Sequence, residues 1–180
     1  MTTSVRSKIE AQLRQRILFL DGATGTSLQK ENLVEADYRA DRFADHGCDL
    51  KGNHDVLVLT RPDIVRKIHD SFLEVGADLI ETNTFSATSI GQADYELSEL
   101  AYELNVEAAR IAKEACAAWT ARDPSRPRFV AGAIGPTNKT LSLSPDVNDP
   151  GYRAVSFDEV REAYAEQARG LIEGGADLFL

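Results

Sequence analysis

Two stretches, EVGADLIETNTF (residues 74–85) and EGGADLFL (residues 173–180), share a Glu and the run Gly-Ala-Asp-Leu, and both turn apolar after it. Each follows a segment whose apolar residues recur at helical spacing. Ile64, Val65, Ile68, Phe72 and Val75 form one such face, and Val160, Tyr164, Ala168, Leu171 and Ile172 form the other. The glycine stops the helix as a left-handed C-cap, and Asp-Leu leads into a short apolar run. Each copy of the phrase is therefore a joint where a helix hands over to a buried strand.

The same alternation extends outward from these joints. Ser7 and Glu10 have capping-box spacing and predict a short helix to about residue 15. ILFLDG (17–22) reads as a first strand ending in a turn. Residues 23 to about 60 read as a long irregular loop, charged, with only a brief apolar VLVL at 56–59, and with local turns or one short helix within it. Thr60-Arg61-Pro62-Asp63 reads as a helix start with Thr60 as cap. Residues 77–81 are a second strand. A helix over about 97–119 carries the stripe Leu97, Leu100, Leu104, Ala108, Ile111, Ala115 and Trp119. RFVAGAIG (128–135) is a third strand, and 136–155 a polar loop. Ser156 and Glu159 form a second capping box that opens the last helix, and residues 176–180 begin a fourth strand.

Apolar strands alternating with helices predict an α/β fold with a parallel sheet and helices outside. A doubly wound sheet and part of a (β/α)8 barrel both fit this order, but no GxGxxG follows the first strand, which disfavours a dinucleotide site. A full barrel takes about 250 residues. The 180 residues carry four strands and stop inside the last, so the chain reads as the N-terminal half of a TIM barrel, one partial domain over 1–180 cut at strand 4. On that reading Ile17, Phe19, Leu79 and Val130, or their neighbours, face the barrel interior. The two open sheet edges predict marginal stability or edge-to-edge pairing.

Composition limits the function. A hydrophobic fraction of 43% suits a packed core, and a net charge of −9 argues against general nucleic-acid binding. The charged start is no secretory leader, and no apolar run is long enough to span a membrane. Cys48 and Cys116 form no CxxC, and His46, His54 and His69 no HxxxH; both cysteines read as packing or surface thiols and His69 as a structural helix residue. Two distant cysteines fit a reducing cytosol.

Barrel active sites lie at the C-terminal ends of strands. Those ends carry Asp21-Gly22, Glu81-Thr82-Asn83-Thr84 and Gly135-Pro136-Thr137-Asn138. Carboxylates, amides and free glycine N–H groups in one ring suit a small zwitterion: a carboxylate for its ammonium, backbone amides for its carboxylate. Asp21-Gly22 also reads as a plain turn, and Glu81 as a buried structural carboxylate.

LDGATGT (20–26), CDLKGNHDVLVLTRPDIV (48–65), GADLIETNTF (76–85) and GAIGPTNKTLSLSPDVNDP (132–150) together resemble the homocysteine-binding barrel of the cobalamin-dependent methionine synthases. The resemblance covers nearly the whole chain, and Thr24 departs from a bulkier apolar residue frequent there. It implies methyl transfer from methylcobalamin to homocysteine, with methyltetrahydrofolate recharging the cobalamin and zinc holding the substrate thiolate. Partners are then homocysteine and the folate and cobalamin domains of the intact protein. The resemblance makes Asp21 the partner of the substrate ammonium and gives the substrate carboxylate to the amides of Gly22 and Ala23. The strand-end reading adds Glu81, Asn83 and Gly135. The family's zinc cysteines come from later strands, and its second acidic residue falls beyond Leu180, so neither zinc nor cobalamin is expected to bind the chain itself and no residue is assigned to catalysis. The alternative reading is a stand-alone half-barrel that binds a small molecule or assembles without methyl transfer.

Overall fold

A computed structural model describes residues 4–180; the first three residues of the charged start lie outside them. Its helices are α1 (Val5–Leu13), α2 (Thr24–Lys30), α3 (Glu35–Arg39), α4 (Leu57–Thr60), α5 (Pro62–Glu74), α6 (Ser89–Gln92), α7 (Ala101–Arg122) and α8 (Phe157–Gly174). Three parallel strands, β1 (Leu79–Glu81), β2 (Phe129–Gly132) and β3 (Leu178–Phe179), form one sheet in chain order. The class is α/β with a parallel sheet, but three strands are seen where four were expected. Residues 17–22 make one bridge, Leu20 to Leu79, and no strand. They run beside β1 and bond on that side alone, through Leu79 N to Phe19 O (3.0 Å) and Asp21 N to Leu79 O (3.0 Å). With no second neighbour among the described residues, the segment stays an exposed edge.

Both Gly-Ala-Asp-Leu joints are helix-to-strand turns. Gly76 and Gly175 have φ of 106° and 98°, the left-handed region that favours glycine. The aspartates do the same work in each copy. Asp78 Oδ2 accepts from Phe19 N (3.1 Å), and Asp177 Oδ2 accepts from Val130 N (2.9 Å). Each carboxylate thus ties the start of its own strand to the segment before it.

The core lies between sheet and helices. Ile80 and Val130 pack with Leu73, Ala112, Ala115 and Cys116. Val130 therefore faces the helices and not the barrel interior, because it pairs in register with Ile80, on the face opposite Leu79 and Glu81. Ile17 (76%) and Phe19 (62%) are exposed. A larger cluster joins Leu28, Tyr38, Phe43, Leu50 and Val56–Val58 to α5 and α7.

The stretch 23–60 departs most from expectation. It holds α2, α3, α4 and a 3-10 turn at His54–Val56. None of these helices exceeds seven residues, too short for a periodic signal, and they hold their shape by packing on the core. Ser4, not Ser7, caps α1, accepting from Ser7 N, while Glu10 pairs with Arg6. Thr60 ends α4 and bonds back to Val56 O; α5 starts from Arg61 with no side-chain cap. Ser156 and Glu159 do form the expected capping box.

On α8 the buried face is Ala163, Gln167, Gly170 and Leu171, while Ile172 is exposed. Gly170 and Gly174 lie so close to α7 that a Cβ at either would meet Asn105 Cβ or Val106 O, so close helix contact and not the apolar stripe sets the rotation. Val75 is 83% exposed because the helix ends at Glu74. His69 is fully buried with neither ring nitrogen partnered, and burial lowers its pKa to about 4. It is neutral at ordinary pH. Among the described residues no helix is long and apolar enough to cross a membrane.

Candidate functional site

The C-terminal ends of the strands are stitched by hydroxyls. Thr82 Oγ1 bonds Thr84 Oγ1 (2.7 Å) and accepts from Ala133 N (2.9 Å), and Thr84 Oγ1 donates to Ala133 O (2.8 Å). This fixes Glu81 and Asn83 on either side of Thr82. Asn83 is buried and donates through Nδ2 to His54 O (2.7 Å), which draws the loop after α3 over the sheet end.

A cavity of about 380 Å³ opens there, and its lining includes Ala23, Thr24, His54, Asp55, Glu81 and Asn83. Of the residues expected at the site, the structure brings Ala23, Glu81 and Asn83 to this cavity. Ala23 itself takes a left-handed backbone (φ 51°) to enter α2. Asp21 and Gly22 do not line this cavity but a separate groove with Phe72 and Gly76, and Ala23 lines both. Gly135 does not line the cavity. A Cβ there would fall 2.2 Å from Phe85 O, and its carbonyl accepts from Tyr164 Oη (2.8 Å), so it serves loop packing.

Asp21 Oδ1 accepts from Glu81 N (2.9 Å), whereas Oδ2 is buried with no partner. Burial raises the Asp21 pKa to about 7, against the Glu81 N–H bond and with help from the Glu81 charge. Burial raises Glu81 as well. Two adjoining carboxyls of raised pKa and one unsatisfied oxygen make a place that a cation stabilises.

The residues that sequence reasoning missed come from 52–55. Asp55 is buried, and burial pushes its pKa up to about 7 despite the bond from Ser86 N (3.1 Å) to Oδ2. Buried Gln92 donates to Asn53 Oδ1 (3.3 Å), Asp55 Oδ2 (3.4 Å) and Ser86 O (3.2 Å), and Asn53 Nδ2 returns a bond to Gln92 Oε1 (2.7 Å). His54 Nδ1 meets Tyr38 Oη at 3.1 Å. The one available signal was the polar run Gly-Asn-His-Asp set directly against the apolar VLVL.

A parallel α/β sheet whose C-terminal end opens on a cavity lined by carboxyls, amides and hydroxyls beside apolar groups has the strand-end arrangement of a ligand site. Residues 18–180 match the family model described as homocysteine S-methyltransferase, and the chain belongs to that family. The structure is similar to the homocysteine methyltransferase MmuM from Escherichia coli in its oxidised form, with 25% identity and a TM-score of 0.69 over 95% of this chain and 55% of that one. The metallated form of MmuM gives 24% identity and a TM-score of 0.68 over the same shares. The chain spans about half the length of these relatives.

Proposed function

We propose that the chain forms the homocysteine-recognising part of a methyltransferase of the cobalamin-dependent methionine synthase type, which methylates homocysteine to methionine. The supporting observation is the Asp21 carboxyl, with one oxygen fixed by Glu81 N and the other buried and unpartnered. A substrate ammonium supplies the missing donor. Its charge favours the ionised form and draws the Asp21 pKa down from about 7. Glu81 adds a second carboxylate, Gly22 and Ala23 direct amides to the substrate carboxylate, and Asn83 holds His54 at the cavity wall. The folate and cobalamin domains are the partners in this reading, and the cytosol is its compartment.

Among the described residues, the lining of the sheet-end cavity includes no cysteine, the ligand that this reading expects for zinc. Cys116 sits on α7 in the core, its thiol pushed up to about 12 by burial, and bonds Phe129 O at 3.5 Å. Cys48 lies outside the cavity lining. No step is routed through zinc or cobalamin, and the chain's own residues bind and orient substrate.

Calorimetric titration of homocysteine into the chain and into Asp21→Asn tests the proposal. Asparagine keeps an acceptor for Glu81 N and loses the charge. A charge-assisted bond is worth about 1.5–3 kcal/mol, so binding weakens by roughly 10- to 150-fold. Equal affinities would remove Asp21 from the site and the proposal with it.

A further inference from the structure

Cys48 reads as a packing or surface thiol in the sequence, yet it lies in a donor cluster apart from the cavity. Among the described residues, one His Nε2/Nδ1, one Cys Sγ and one carboxylate oxygen, from His46, Cys48 and Glu96, fall within 4.8 Å of one another. We infer that these three side chains form a divalent transition-metal site of the zinc class, distinct from the homocysteine-binding end of the sheet.

The spacing suits coordination. Cys48 Sγ and His46 Nε2 are 3.4 Å apart. A tetrahedral ion with Zn–S near 2.3 Å and Zn–N near 2.0–2.1 Å sets those two donors about 3.5 Å apart. Thiolate, imidazole and carboxylate together select zinc-like ions over magnesium or calcium. Two negative ligands and a neutral imidazole balance the charge of the ion, and water takes the fourth position.

The cluster is also held in place before any ion arrives. Arg39 donates to the carbonyls of Phe43 (3.2 Å), His46 (2.7 Å) and Cys48 (2.8 Å), which pins the loop that carries two of the donors. Glu35 in turn bonds Arg39 and the backbone N–H groups of Leu50 and Lys51. The Phe43 ring meets the His46 ring edge-on, at a centroid distance of 6.0 Å. Glu96, on the other side, has a left-handed backbone with φ of 54°, a conformation disfavoured for a non-glycine residue. The Glu96 carboxylate lies against this loop: a Cβ at Gly47 would meet Glu96 Oε2 at 3.5 Å, an ordinary contact.

Without metal, His46 Nε2 and the Cys48 thiol both contact Tyr95 O, at 2.8 and 3.3 Å. Coordination moves the imidazole proton to Nδ1 and releases the thiol proton to solvent, one proton per ion. The Tyr95 carbonyl then turns to the bound water. Tyr95 also lines the cavity at the sheet end, so the ion would clamp the loop at 43–49 to the cavity wall.

Cobalt(II) titration of the reduced, chelator-treated chain tests the inference. One equivalent should bind with a thiolate-to-cobalt charge-transfer band, release about one proton per ion, and be displaced by zinc. Cys48→Ser should abolish the band and His46→Gln weaken binding at least tenfold, while Cys116→Ser keeps both. Glu96→Gln, at an exposed position, should also weaken binding at least tenfold, and it covers the case in which a loop variant misfolds. A parent chain with no charge-transfer band overturns the inference, as does a band that survives Cys48→Ser or is lost only in Cys116→Ser.

Discussion

Asp78 and Asp177 stand in the same place in the two Gly-Ala-Asp-Leu joints, and their surroundings separate their weights. The Asp78 side chain is fully buried and accepts from Arg16 (2.7 and 2.8 Å), Arg126 (3.2 Å), Arg128 (2.9 Å) and Phe19 N (3.1 Å). Burial pushes its pKa up, but Arg16, the Phe19 N–H and Arg126 outweigh it and hold the carboxyl below its ordinary range. Arg128 is itself buried, so Asp78→Asn leaves an uncompensated cation inside the protein. Breaking such a pair costs about 3–5 kcal/mol. At roughly 2–4 °C per kcal/mol the melting temperature falls by on the order of 10 °C. Asp177 pairs with half-exposed Lys113, and Asp177→Asn should cost clearly less. Thermal melts of the two variants side by side check this, and equal losses would mean that the arginine cluster carries no special weight.

At the scale of elements, the contact between α7 and α8 depends on residues with little or no side chain. A Cβ on Gly174 would sit 2.3 Å from Val106 O and 2.6 Å from Ala109 Cβ. Neither a backbone carbonyl nor a helix-borne methyl can swing aside, so Gly174→Ala forces the helices apart and costs about 1–3 kcal/mol. Gly25 is the opposite case. It lies within α2 with nothing near its Cβ position, and Gly25→Ala should stabilise by about 0.5–1 kcal/mol through helix propensity and a less free unfolded chain. Urea unfolding of both variants measures the two signs. A neutral Gly174→Ala would show that the helices can separate at no cost.

Across the whole molecule, two acids of raised pKa, Asp21 and Asp55, each contribute a loss of stability as pH rises. Asp21 and Asp55 both move from an ordinary 3.8 to about 7 in the folded chain. Between those values the folded protein holds more protons than the unfolded one, so these groups weaken folding as pH rises from about 4 to 7. Asp55→Asn removes one of them and keeps an oxygen for the Ser86 N–H. Its melting temperature relative to the parent should therefore be higher at pH 8 than at pH 5, by several degrees at roughly 2–4 °C per kcal/mol. A difference that stays flat or shrinks between those pH values would mean that Asp55 is ionised throughout.

The long helices and both helix-to-strand joints were legible in the sequence. Periodicity, a capping box and glycines at left-handed positions are local signals, and local physics decides them. So was the parallel α/β class, because apolar strands alternating with helices leave few other arrangements. Tertiary structure decided the rest. The segment 17–22 makes a single bridge and no strand, since Phe19 N bonds the Asp78 carboxylate and not a backbone carbonyl of β1. The short helices of 23–60 exist because the core beneath them buries Leu28, Leu50 and Leu57. Val130 faces the helices because its register with Ile80 sets the face, and the apolar run RFVAGAIG could not. Asp21 accepts from the backbone of Glu81, which the sequence placed at another strand end, while Asp55 and Gln92 lie far apart in sequence and meet only in the folded chain. Side-chain hydrogen bonds over such separations leave no periodic trace, so the polar half of the site appears only once the backbone has brought its donors and acceptors within reach.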